Sequence, residues 1–236
     1  MTTPPPDDGS ADTTSGDGRA GSTASRETAA APDSITVYSD YVCPFCYLGR
    51  ESLSQYQATR EEPLAVDWHP FDLRAGKRGP DGEIDHEVDD GKNDDYYAQA
   101  RENVRRLQAK YDVEMAQAIA TDVDSLPAQI VSVHVMETAP DAWPAFDDAV
   151  FAALWESGRD IGDRDVLAAI AADVEGLDPA VVDAALADDD RRERVTDLFE
   201  AATQRGVTGV PTFVFDGHAA RGAVPPEQLE RLVDGV

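Results

Sequence analysis

The sequence contains little cysteine and no long apolar segment, and both absences exclude classes of protein. Only two of its 236 residues are Cys, whereas a structural zinc site needs four ligands, usually in two close pairs. No apolar run approaches the roughly 18 residues that a membrane-spanning helix needs. The N-terminus has neither an apolar signal core nor a twin-arginine pair. We therefore predict a cytoplasmic protein with no metal site and no membrane partner.

Positive charge is also scarce. Lys and Arg together number 20 against 47 Asp and Glu, which gives a formal net charge of −27. Because a nucleic-acid-binding surface needs a stripe of basic side chains, we expect no nucleic-acid partner. Only three of the cations are Lys, and 32 of the acids are Asp, spread along the whole chain. This composition resembles that of proteins from salt-accumulating archaea, since salt screens the repulsion between acids, and it predicts a halophilic protein.

The N-terminal third of the chain divides into segments of different composition. Residues 1–33 hold many Ser, Thr, Gly and Asp and almost no large apolar residue, so they predict a disordered acidic tail. Residues 35–39 alternate like a short strand, residues 47–56 have helical spacing, and residues 64–71 resemble a second strand. A strand, a helix and a strand in this order form a βαβ unit, whose crossover helix makes the two strands parallel.

A long helical segment separates this unit from a second β region. After a polar loop at residues 72–93, the pattern is helical from residue 94 to about residue 206. The β character returns at residues 211–222, where Asp216-Gly217 predicts a hairpin turn. We therefore predict an α/β fold class in which residues 34–93 and 206–236 form one sheet domain and residues 94–205 an inserted helical domain. The candidate helices of the insertion and the C-terminus span residues 94–111, 126–138, 142–157, 164–173, 179–187, 190–205 and 226–233.

The two cysteines form a C-x-x-C pair, Cys43 and Cys46, where the first strand ends and a helix begins. Near a βαβ unit such a pair indicates a redox site. A helix N-terminus carries partial positive charge and free N–H donors, so we expect Cys43 to be a nucleophile with a lowered pKa. Pro44 suits the first helical turn, where no N–H is needed. Cys46 would be the more buried, resolving thiol; half a zinc site and an inert pair of core cysteines are the alternatives.

A proline at the start of a late strand is the second candidate feature. Pro211 follows Val210 and precedes an apolar run at residues 212–215. Proline cannot donate to a sheet ladder, so it belongs at the first residue of a strand or at an edge. A cis bond before it would form a deliberate turn. Alone this proline is weak evidence, but beside a C-x-x-C pair at a helix start it becomes strong.

These features together resemble a known family. Residues 42–49 and 206–213, on either side of a helical block, resemble the DsbA-like group of the thioredoxin superfamily, and most closely its FrnE-like branch of intracellular dithiol oxidoreductases. Residues 69–73 and 222–229 fit the same branch, and the resemblance covers about residues 35–234. It implies a thioredoxin fold with a large inserted α-helical domain.

The resemblance also implies a substrate-binding loop. Pro211 would be cis, with its loop against the sulfur of Cys43, and Val210 would present backbone groups to a bound cysteine-containing peptide. Pro44 and Phe45, between the two cysteines, complete this part of the predicted substrate-binding set. DsbA itself has a His where Phe45 stands, and because Phe45 carries no charge we expect a less oxidising pair.

His134 is the remaining candidate for substrate binding. The branch often has a His in the corresponding helix, near the active-site face. The alternative is a His packed at a domain seam.

The resemblance implies a thiol–disulfide oxidoreductase that acts on cysteine-containing proteins. Its partners would be these substrates and a thiol reductant that the sequence does not identify, and no bound cofactor is required. The superfamily also holds glutathione-dependent isomerases of the 2-hydroxychromene-2-carboxylate type and kappa-class glutathione transferases, which use a Ser near the position of Cys43. A Cys at both positions argues against that chemistry. A non-catalytic adaptor with a thioredoxin fold is a further alternative.

Overall fold

The computed structural model describes residues 34–79, 82–85, 87–89 and 91–235, and the predicted tail at residues 1–33 lies outside them. A mixed sheet in the order β2-β1-β3-β4 forms the centre of the described chain. The first two strands of the chain are parallel, and the other neighbouring pairs are antiparallel. The strands are β1 (Ser34–Ser39), β2 (Ala65–Pro70), β3 (Thr212–Phe215) and β4 (His218–Arg221).

The helices follow the predicted pattern closely, and three of them match it residue for residue. Six lie between β2 and β3 in the chain, which confirms the predicted α/β fold with a helical insertion. Asn93, Asp163 and Asp188 cap three of the helices by accepting a backbone N–H. The helices are α1 (Pro44–Gln57), α2 (Asp94–Tyr111), α3 (Leu126–Thr138), α4 (Trp143–Trp155), α5 (Arg164–Asp173), α6 (Ala180–Leu186), α7 (Asp189–Gln204) and α8 (Pro226–Asp234).

Helix α1 forms the crossover between β1 and β2 and buries a face on each side. Leu53 and Tyr56 pack with Phe213 of β3 and Leu229 of α8. Leu48 packs instead against residues of α2. The apolar residues of α1 are therefore divided between the sheet and the helical insertion.

The hairpin between β3 and β4 has the predicted two-residue turn. Asp216 and Gly217 both have positive φ, 46° and 76°. Such a turn matches the right-handed twist of the strands that it joins, and Asp-Gly is among the sequences that tolerate it. Phe215 therefore pairs directly with His218 across the hairpin.

A buried polar cluster joins the start of α1 to the helical insertion. The Trp143 indole donates to the Ser132 hydroxyl at 2.9 Å, and Ser132 in turn contacts the Tyr41 hydroxyl at 2.7 Å. Tyr41 donates to the Asp147 carboxylate at 2.8 Å, and Arg50 forms an ion pair with the same carboxylate. We call these five residues the Tyr41–Asp147 cluster.

The apolar core crosses the predicted domain boundaries. One continuous cluster runs from the cysteines through Trp68 of β2 into helices α3 to α7. The division at residues 93 and 206 therefore stays a prediction. Within the described part of the chain, no helix is both long and apolar enough to cross a membrane.

Candidate functional site

Cys43 is the capping residue at the N-terminus of α1. Its backbone is extended, with φ −90° and ψ 112°. Its carbonyl accepts hydrogen bonds from the backbone N–H groups of Cys46 at 3.0 Å and Tyr47 at 3.3 Å. Pro44 follows in the first helical turn, as the sequence predicts. Cys43 therefore stands at the positive end of the helix dipole.

Cys46 follows in the first turn of α1, and both cysteines are buried. Both are reduced, and their exposed fractions are 3% for Cys43 and 2% for Cys46. Burial raises the pKa of Cys46 well above its ordinary value, and a hydrogen bond that its thiol donates to the Cys43 sulfur raises it further. The Asp40 backbone and the Ser39 side chain act in the opposite direction. Cys46 is therefore protonated at neutral pH and lies close enough to Cys43 to interact with it.

The loop before β3 faces Cys43 from the other end of the chain. The Val210–Pro211 peptide bond is cis, as the resemblance implied. The Cys43 thiol donates a hydrogen bond to the Val210 carbonyl oxygen at 3.5 Å, across 167 positions of the sequence. The structure thus brings the C-x-x-C pair and this loop into one place.

The close approach of this loop to α1 depends on Gly49. A Cβ atom at this position would lie 3.0 Å from Pro211 Cγ and 3.2 Å from Phe213 Cζ. Contacts this short require the neighbours to move, so the absence of a side chain lets Pro211 pack on the helix. A lone glycine inside a helical pattern is the sequence signal for such a contact, but it does not identify the partner.

The other two predicted binding residues, Phe45 and His134, lie in different parts of the structure. Phe45 is half-buried and packs both on the main core and on the small cluster that Leu48 forms with Val104 and Tyr111 of α2. His134 lies instead where α3 meets α7, with Glu137 and Arg191 as charged neighbours. Burial, followed by the positive charge of Arg191, lowers the pKa of His134. No described contact joins His134 to the cysteines, and its role in substrate binding stays a prediction.

Comparison with known families agrees with this geometry. A family model described as a DSBA-like thioredoxin domain matches residues 34–234. This chain belongs to the DsbA-like thioredoxin family. The match covers the sheet, the helical insertion and both segments of the candidate site. Membership in the FrnE-like branch stays a prediction.

Individual relatives of this DsbA-like protein are distant. The uncharacterized protein YwbO of Bacillus subtilis (strain 168) is 29% identical over 205 residues, which are 84% of this chain and 94% of YwbO. A solved structure described as a probable DsbA oxidoreductase from Streptomyces coelicolor is 22% identical, with a TM-score of 0.69 over 86% of this chain and 88% of that one. A structure of 2-hydroxychromene-2-carboxylate isomerase is 21% identical, with a TM-score of 0.67 over 84% and 92% of the two chains. At these identities the two structures show that this DsbA-like protein shares their fold, and they do not show its activity or its substrate.

Sequence reasoning missed a cavity next to α7 and a buried acid at the candidate site of this DsbA-like protein. The cavity, of about 790 Å³, lies between the segment after β2 and helix α7, with Phe71, Leu126 and Phe199 in its wall. The acid is Asp40, whose carboxyl group lies under the turn that leads to Cys43. In the sequence Asp40 is merely a polar residue at the end of a strand, where Asp is common.

The described residues also bear on metal binding. Among them, no group of three or more His, Cys, Asp or Glu side chains could hold a metal ion. The sulfurs of Cys43 and Cys46 interact with each other instead.

Proposed function

We propose that this protein is a thiol–disulfide oxidoreductase that exchanges disulfides with cysteine-containing proteins. The observation that carries the proposal is the asymmetry of the cysteine pair. Cys43 caps α1 and faces the Val210 carbonyl at 3.5 Å, whereas Cys46 is held as a buried thiol behind it. Such a difference suits a pair in which one sulfur attacks a disulfide and the other resolves the product.

The proposed cycle begins with the Cys43 thiolate. It attacks one sulfur of a substrate disulfide, and the other substrate sulfur leaves as a thiolate that takes up a proton. Cys46 then loses its proton and attacks the Cys43 sulfur of the mixed disulfide, which releases the second substrate sulfur as a thiol. The substrate disulfide has gained two electrons and two protons, and the protein holds a Cys43–Cys46 disulfide. An external thiol reductant returns this disulfide to the starting dithiol, and the reverse sequence transfers a disulfide outward.

The substrate would lie across the Val210–Pro211 loop and the residues between the cysteines. In the reduced protein the Val210 carbonyl accepts the Cys43 S–H. Once Cys43 has lost its proton, this carbonyl can accept a backbone N–H from a substrate chain. Phe45, which follows Cys43 by two residues and is half-buried, would offer the substrate an apolar contact, and buried Pro44 would support it from within. The cycle needs no bound cofactor, because the sulfurs themselves carry the electrons.

A glutathione-dependent isomerase or transferase is the second candidate. Its support is the shared fold with 2-hydroxychromene-2-carboxylate isomerase. That chemistry activates the thiol of a bound glutathione and does not need a second cysteine in the protein. The presence of Cys46 behind Cys43 favours disulfide exchange.

Two matched cysteine variants test the proposal. The assay follows the reduction of a fluorescent peptide disulfide by dithiothreitol in concentrated KCl. We expect Cys43→Ser to reduce the rate to that of the reaction without protein, because the attacking sulfur is gone. We expect Cys46→Ser to accumulate a mixed disulfide with one peptide per protein, detected by mass spectrometry, because its resolving sulfur is gone.

The same variants distinguish the alternatives. Saturable glutathione binding that survives Cys46→Ser, without peptide exchange in the wild type, would support the isomerase or transferase. A stable protein complex with no exchange activity would support the adaptor. A Cys43→Ser protein that exchanges disulfides at the wild-type rate would contradict the proposed function.

A further inference from the structure

The carboxyl group of Asp40 is fully buried beneath residues 40–46, which we call the active-site turn. It accepts hydrogen bonds from the backbone N–H of Val42 at 3.2 Å, the backbone N–H of Leu73 at 2.9 Å and the side-chain amide of Gln129 at 3.3 Å. Its backbone carbonyl accepts the N–H of Cys43 at 3.0 Å. One residue therefore joins the active-site turn to two other parts of the chain.

Those two parts are helix α3, which carries Gln129, and residues 71–73, which follow β2. Phe71 donates its N–H to the Ser39 carbonyl at 2.9 Å and accepts a hydrogen bond from the Gln129 amide at 3.2 Å. It also lines the cavity beside α7 and packs on the same small apolar cluster as Val210. Asp40 thus connects the active-site turn to the segment whose Phe71 packs on the same cluster as Val210.

Neutral donors and one other acid surround the Asp40 carboxyl group. Ser125, just before α3, donates a hydrogen bond to it, and the negative charge of Asp72 repels it. Asp72 itself is paired with Arg78 at 2.6 Å. Burial has the largest effect and raises the pKa of Asp40 to about 6. The carboxylate is therefore protonated just below neutral pH.

We propose that Asp40 is a positioning residue whose carboxylate fixes the active-site turn, and that exchange slows when this carboxylate is protonated or replaced. The inference rests on the proposed exchange activity. A carboxylate only accepts hydrogen bonds, whereas a carboxylic acid must place a hydrogen on one of its oxygens. Val42 and Gln129 donate to Oδ1, Leu73 donates to Oδ2, and the Ser125 hydroxyl is a further donor. These donors fill the roughly four acceptor sites of the carboxylate, so an added hydrogen displaces one of them. The turn that carries Cys43 then loses one of its attachments.

Folding stability alone does not account for an acid at this position. A raised pKa means that the folded state binds the proton more tightly than the unfolded chain does. Ionisation of Asp40 therefore lowers the free energy of unfolding as the pH rises from about 4 to about 6. At neutral pH the ionised carboxylate therefore lowers the free energy of unfolding. This is expected of a residue that is needed for the activity of the site and not for folding.

The experiment compares Asp40→Asn with Asp147→Asn, which changes another buried acid that accepts the Tyr41 hydroxyl but no backbone N–H of the active-site turn. Peptide-disulfide exchange is measured from about pH 5 to about pH 8, and each rate is divided by the fraction of Cys43 thiolate, taken from its absorbance. The wild-type rate per thiolate should fall below about pH 6. The exchange rate per thiolate of Asp40→Asn should be about tenfold lower than that of the wild type, which corresponds to the loss of one hydrogen bond to a charged group. Its pH profile should also lack the inflection that the wild type shows near pH 6. Asp147→Asn should keep it.

A second measurement separates this inference from the proposed function. Alkylation of Cys43 by iodoacetamide needs no disulfide substrate and is followed on the same proteins. One outcome is that the wild type exchanges no disulfides, but its alkylation rate per thiolate has an inflection near pH 6 that Asp40→Asn lacks. This outcome would contradict the proposed function and support the positioning role of Asp40. A folded Asp40→Asn protein with the wild-type inflection and rates overturns the role of Asp40, as does a loss of thermal stability alone. If Asp40→Asn does not fold, a wild-type alkylation profile without an inflection near pH 6 overturns it.

Discussion

Two polar regions border the N-terminal half of α1, and they are built from different chemistry. Backbone N–H and carbonyl groups hold the active-site turn around Cys43, and the hydrogen-bond partners of the Asp40 carboxyl group are neutral. Full charges hold the Tyr41–Asp147 cluster, where Arg50 pairs with both Asp147 and Asp148. The two regions share Tyr41, which lies within the active-site turn and donates its hydroxyl to Asp147.

Because one region is held by backbone dipoles and the other by full charges, we expect the two regions to have different roles. Ion pairs at the Tyr41–Asp147 cluster attach the helical insertion to α1, and their guanidinium and carboxylate charges compensate each other. In the active-site turn, backbone dipoles rather than a cation face the Cys43 sulfur. A thiolate charge on this sulfur therefore has no fixed ionic partner in the turn, and in the proposed exchange it can pass to another sulfur. We therefore expect substitutions in the cluster to change stability and substitutions in the turn to change rate.

The largest expected effect on stability follows the removal of Asp147. Asp147→Ala leaves the Arg50 charge and the Tyr41 hydroxyl without their buried acceptor. Breaking a buried pair lowers the free energy of unfolding by about 3–5 kcal/mol when the remaining charge is left unpaired. Asp148 still pairs with Arg50, so we expect a loss at the lower end of that range. Urea is the suitable denaturant, because it leaves the ionic strength unchanged. The exchange rate of the protein that remains folded should stay close to that of the wild type.

Asp148→Ala is the matched control, because Asp148 pairs with the same guanidinium of Arg50 but its side chain is 63% exposed. Solvent-exposed ion pairs contribute at most about 1 kcal/mol. Equal losses for the two variants would show that the buried pair does not hold the helical insertion. A large loss of exchange rate with Asp147→Ala would remove the distinction between the two regions.

A smaller effect is expected at Gly49, where α1 touches the Val210–Pro211 loop. In Gly49→Ala the new methyl group meets Pro211 and Phe213, and such overpacking lowers the free energy of unfolding by about 1–3 kcal/mol. Because Pro211 must move, Val210 should also move away from Cys43, and peptide exchange should slow. Urea unfolding and the exchange assay measure the two effects.

Gly76→Ala is the control for Gly49→Ala, since a Cβ at Gly76 would have no heavy atom within 4 Å. Its stability and exchange rate should match those of the wild type. If Gly49→Ala behaves like Gly76→Ala, the packing of α1 against Pro211 does not position the loop.

The sequence predicted the local parts of this structure better than the contacts between them. Helix bounds, the Asp216-Gly217 turn and the position of Cys43 at a helix start depend on neighbouring residues, and their patterns are visible in the chain. The attachment of Asp40 to Leu73 and Gln129 depends on how β2 and α3 approach β1. Periodicity shows which face of an element is apolar, but it does not show which buried polar atoms will meet. The same reason hid the contact between Gly49 and Pro211.

The smallest expected effect concerns the pH dependence of stability and separates the two cysteines. Burial raises the pKa of Cys46, whereas a cysteine in the unfolded chain titrates near about 8.5. The folded protein therefore binds this proton more tightly, and its free energy of unfolding should fall above about pH 8.5, by at most about 1.4 kcal/mol per pH unit. Urea unfolding of the reduced protein at about pH 8 and about pH 10 measures the fall, and Cys46→Ala should show less of it because the other titrating groups are common to both proteins. Equal falls would mean that Cys46 does not keep its proton in the folded state, and the asymmetry on which resolution by Cys46 depends would be lost.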